Sequence, residues 1–70
     1  MEKVKIKEGL ICFKTLSDGT NGRFDSRGMN TLYVSLEDHL GVFYSEKLTG
    51  NLEDMNKSLA KFEIELYYVA

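Results

Sequence analysis

The sequence predicts an α+β domain: a small antiparallel sheet of four to five strands, with one short helix before the last strand. Three observations lead there. Apolar and polar residues alternate with period two at the start, in the middle and at the end of the chain. Only residues 52–62 carry apolar side chains at helical spacing. Gly, Asn and Asp gather between the periodic stretches, where turns need them. A small all-β barrel is the alternative, with residues 51–60 forming no more than a turn of helix.

The first element is a strand over 3–16. Lys3, Lys5 and Lys7 alternate with Val4 and Ile6, and Gly9 marks a bulge or sharp bend. Beyond it Leu10, Ile11, Cys12 and Phe13 are apolar on both faces. Residues 17–30 hold three of the six glycines, with Asp18-Gly19 and Asn21-Gly22 as turn dipeptides. That composition predicts a long functional loop, or a short hairpin with Arg23 and Phe24 near its tip. Thr31–Leu36 is rich in β-branched and aromatic residues and predicts a second strand. A polar connection over 37–41 leads to a third strand over 42–48, its hairpin partner. Leu52, Met55, Leu59 and Phe62 then share one helical face. Asn51 is placed to cap that helix, with acidic residues in its first turn and lysines toward its end. The last strand runs from Phe62 to Val69, with Phe62, Ile64, Leu66 and Tyr68 on one side.

At 70 residues the chain is a single domain, residues 1–70. That size excludes a deep-pocketed enzyme, a Rossmann domain and a TIM barrel. The single cysteine permits no internal disulfide, which points to a reducing compartment, the cytoplasm. The opening Met1-Glu2-Lys3-Val4-Lys5 does not read as a secretory leader, and no apolar run approaches a membrane span.

Catalysis finds little support. Cys12 and His39 are the only pair of residues suited to nucleophilic chemistry, and neither lies in a recognisable motif. One Cys and one His cannot build a zinc site, and 18–25 lacks the ligand pattern of a calcium loop. The glycines near Arg23 and Arg27 match no phosphate-binding fingerprint. The chain is therefore expected to be no enzyme and to use no cofactor or metal.

Charge is distributed unevenly. The net charge is -2, yet residues 1–30 hold six Lys or Arg against four acids, and residues 31–70 hold three against seven. The expected function is that of a small interaction protein that inhibits or modulates a larger protein, one that itself handles nucleic acid. Carboxylates could stand in there for backbone phosphates. In scale, though not in sequence, it compares with accessory proteins of phages and mobile elements. The expected partner surface comprises Glu37, Asp38, Glu46, Glu63 and Glu65 with Tyr33 and Tyr67. Glu63 and Glu65 are placed on one strand face, about 7 Å apart by strand geometry. Phe13, Tyr33, Phe43 and Tyr67 exceed what one helix can cover, which predicts a homodimer through a sheet face or the terminal strand. The alternative function is a single-stranded nucleic-acid-binding module. It would use Lys3, Lys5, Lys7, Arg23 and Arg27, with Phe24 or Tyr33 for stacking.

Overall fold

The computed structural model describes residues 1–69 and has the expected α+β architecture. Its elements are β1 (Glu2–Ile6), β2 (Ile11–Thr15), β3 (Asn21–Gly28), β4 (Thr31–Asp38), β5 (Gly41–Thr49), α1 (Leu52–Leu59), a single 3₁₀ turn (Ala60–Phe62) and β6 (Ile64–Tyr68). Strands β2-β3-β4-β5 form an antiparallel meander in chain order. Strands β1 and β6 form a separate parallel pair. No barrel closes.

The meander follows from pattern and turns. In β4, Leu32, Val34 and Leu36 are buried while the residues between them reach the opposite face. Their register partners in β3, Ser26, Phe24 and Gly22, therefore face the core as well. Asp18 Oδ1 accepts from Thr20 N at 2.9 Å and tightens the β2–β3 turn. Asp38 Oδ1 does the same for Leu40 N at 2.8 Å between β4 and β5. An extra residue at Phe43 bulges β5 opposite Leu36 and Glu37. The bulge lets Phe43 and Tyr44 both reach Phe62, at ring-centroid distances of 6.0 and 4.7 Å.

The core lies between the inner face of the meander and a second layer made of α1, β1 and β6. Phe24, Leu32, Val34, Leu36 and Leu48 supply one side; Val4, Ile6, Met55, Leu59, Ile64 and Leu66 supply the other. The helix starts as its sequence predicts, with a capping box between Asn51 and Asp54. Midway along it, Asn56 takes the place of a neighbouring strand. Its Oδ1 accepts from Leu66 N at 2.7 Å and its Nδ2 donates to Leu66 O at 3.2 Å. This occupies the β6 edge facing away from β1. Among the described residues no buried side-chain polar atom lacks a partner.

Three boundaries differ from expectation. Residues 3–16 form two strands, because Gly9 at φ +85° makes a turn between them. Residues 17–30 are neither a long loop nor a hairpin tipped by Arg23 and Phe24. They contain β3, an inner strand of the meander, and Phe24 is its buried anchor. Glycine enrichment concealed that strand: Gly22 is there because a Cβ would come within 2.6 Å of the Phe24 ring. Finally, Phe62 belongs to the 3₁₀ turn, and Glu63 takes a left-handed conformation, φ 59° and ψ 37°, before β6 begins.

Candidate functional site

With the core on its inner side, the meander leaves its outer face uncovered. Register places Ile11 and Phe13 of β2, Arg23 and Asp25 of β3, Tyr33 and Ser35 of β4, and Val42 and Lys47 of β5 on that face. Phe13 is 73% exposed, Val42 57%, Ile11 45% and Tyr33 39%. A single Phe at that exposure is unremarkable, but four large apolar residues sharing one sheet face are not.

An ordered charge cluster lies at the centre of this face. Asp25 is buried, and Arg27 Nε donates to its Oδ2 at 2.9 Å, while Arg23 Nη2 lies 3.6 Å from the same oxygen. Arg27 follows on the same face by strand alternation, at the register shift between Ser26 and Gly28. Its guanidinium stands 5.3 Å from the Tyr33 ring centre, and Lys47 Nζ approaches the same ring at 5.9 Å. Counting Glu37 at the rim, the face carries three cations and two carboxylates in a chain whose net charge is -2. A shallow depression of about 180 Å³ adjoins Arg23 and is walled by Phe13 and Val42.

The acidic surface expected from the sequence is dispersed. Glu37 lies at the rim of the meander, and Asp38 is used in the β4–β5 turn. Glu46 stands opposite Val34 on the other side of the sheet, near Tyr44, whose hydroxyl pKa is raised by burial and then by the Glu46 charge. Glu63 and Glu65 do not share a strand face, because Glu63 precedes β6 in a left-handed conformation. Glu65 and Tyr67 lie opposite Lys3 and Lys5 in the parallel pair, which balances charge there. Of the expected partner residues, only Tyr33 occupies the centre of the open face.

The alternative set is divided too. Lys3 and Lys5 lie on β1, Lys7 in the turn after it, and Arg23 and Arg27 on the meander. Phe24 is fully buried and offers no stacking surface. Cys12 packs against the core on β2, whereas His39 is exposed in the β4–β5 turn. Those positions are two strands and about five residues apart, roughly 19 Å at ordinary strand spacings. The geometry does not pair them.

A wider cleft of about 580 Å³ runs past Glu2, Ser17, Asp18, Phe62 and Glu63. Its carboxylates serve local structure. Glu2 accepts from the Ser17 hydroxyl and from Ser17 N, with Lys14 at 3.8 Å, and these hold its pKa below the usual carboxylate value. The Thr20 amide likewise lowers that of Asp18. A general acid working near neutral pH needs the opposite shift. Among the described residues no group of three or more His, Cys, Asp or Glu is placed to hold a metal ion. No helix among them is long and apolar enough to cross a membrane.

Sequence reasoning missed Asp25 and Asn56. A signal for the first was present: Arg23, Asp25 and Arg27 alternate with period two, which puts them on one strand face. Comparison with known proteins returned no match to any family model, curated protein or solved structure.

Proposed function

We propose that this chain is a non-enzymatic interaction protein that engages a larger protein through the open face of its meander. The observation behind this reading is the joint exposure of Ile11, Phe13, Tyr33 and Val42 around an arginine pair held by a buried carboxylate. Aromatic residues and arginine are enriched at the centres of protein interfaces, where they bury area at low entropic cost. The acidic residues disperse around the remaining surface, where rim charges mainly set association rate and its salt dependence.

A protein partner fits this face better than a nucleic acid. A single-stranded nucleic acid needs a continuous cationic track with stacking platforms. Here Lys3 and Lys5 belong to the other sheet, and Ile11 and Val42 give bases nothing to stack on. A second copy of the chain is the competing occupant, and the crosslinking below separates it from a different protein. The expected homodimer is not part of this reading.

Site-specific photo-crosslinking tests it. A benzophenone side chain is placed at position 13 or 42, and at 57 or 65 as controls on the helix and on β6. Positions 13 and 42 should label one discrete protein, and the controls should not. Labelling of nucleic acid from position 13, or of a second copy of the chain at twice 8.0 kDa, would contradict the reading.

A further inference from the structure

Building on the proposed protein-binding face, we infer that its partner presents a carboxylate, flanked by an apolar side chain, to Arg23 and Arg27. The Asp25 side chain is only 5% exposed and engages both guanidiniums, whereas the side chains of Arg23 and Arg27 are 42% and 62% exposed. A buried acid thus fixes two outward-facing arginines. It uses Nε of Arg27 and Nη2 of Arg23, and each guanidinium has five N–H donors, so Asp25 leaves most of both donor sets uncommitted. The Tyr33 ring limits Arg27 from the side.

One carboxylate neutralises one arginine, so the cluster keeps a positive charge, to which Lys47 adds across the Tyr33 ring. A planar carboxylate fits a guanidinium through two parallel hydrogen bonds, and pre-orientation lowers the entropy lost on docking. The depression between Phe13 and Val42 begins at Arg23 and also borders Glu37, whose charge directs an incoming carboxylate to the arginine side. A partner residue next to the carboxylate would place its apolar side chain there. The epitope is therefore an Asp or Glu beside a Leu, Ile, Phe or Met.

The test selects random short peptides on the immobilised full chain and measures the winners in solution. Selected sequences should share an acid beside an apolar residue, and rising salt should weaken their binding. Arg23→Gln and Arg27→Gln should each reduce affinity about tenfold, with Arg23→Lys recovering part of the loss and circular dichroism unchanged. Peptides that are apolar without an acid, sensitive to Phe13→Ala but indifferent to both arginine variants, would overturn this inference and leave the binding face standing. A library yielding no arginine-dependent binder would also overturn it. Tight binding of a single-stranded oligo-dT to the same face would overturn both.

Discussion

Replacing Gly22 with Ala adds one methyl group to the inner side of β3, where the structure leaves no space. The new Cβ would lie 2.6 Å from Cε2 and 2.9 Å from Cζ of Phe24, and 3.5 Å from Cδ2 of Leu36. Phe24 and Leu36 are fully buried, so the ring has nowhere to swing. Overpacking of this kind costs about 1–3 kcal/mol. Ala recovers about 0.5–1 kcal/mol over Gly within a strand, by restricting the unfolded chain. The net is a loss of about 1 kcal/mol. In urea, with a slope near 1 kcal/mol/M for so small a domain, the midpoint should fall by about 1 M. The contact can be isolated by repeating the change in a Phe24→Leu background, where Cε2 and Cζ are gone. There Gly22→Ala should turn stabilising, giving a coupling of about 2 kcal/mol across the cycle. A raised midpoint in the wild-type background, or the same effect in both, would refute the packing argument.

Asn56→Ala should cost about 1–3 kcal/mol in urea unfolding, since it leaves the Leu66 backbone N–H and C=O at the β6 edge without partners. An unchanged midpoint would show that water replaces the amide freely. Glu63→Gly should stabilise by about 1 kcal/mol, because only glycine occupies the left-handed region without strain; a loss would reveal a compensating contact of Glu63. Glu2 has a folded-state pKa below its ordinary value of 4.5, so its stabilising effect is full above that pH. The effect declines as pH falls through the lowered value. Glu2→Gln should therefore flatten the acid limb of the stability–pH curve and leave its shape near pH 7 unchanged. An acid limb identical to wild type would contradict that assignment.

The legible parts of the fold were those where local pattern and tertiary role agree. β-branched and aromatic composition identified β4, with β5 as its hairpin partner; alternation identified β6, and the spacing of Leu52, Met55 and Leu59, with Asn51 as cap, identified α1. β3 was hidden because its glycines have a packing role. Gly22 makes room for a ring two residues on, which only the folded register reveals. The parallel pairing of β1 with β6 is a long-range choice, decided by where α1 returns the chain. The candidate site was legible in its types but not in its grouping. Tyr33, Arg23 and Arg27 each drew attention, but in two competing sets. Neither a loop over 17–30 nor a hairpin tipped by Arg23 and Phe24 assigns Asp25 a sheet face, so the cluster it organises emerges only from the register of β3.

Three surfaces compete as the partner's contact, and one titration compares them directly. The protein labelled from positions 13 and 42 is purified, and its affinity is measured calorimetrically for three variants of equal stability. These are Phe13→Ala with Val42→Ala on the open sheet face, Glu63→Lys with Glu65→Lys on the acidic residues, and Lys3, Lys5 and Lys7 all to Ala. Truncating two interface anchors at about 2 kcal/mol each should weaken binding by roughly three orders of magnitude, while the other two variants should stay within a few-fold of wild type. Retained affinity in the Phe13 and Val42 variant, with binding lost in either charge variant, would contradict the account.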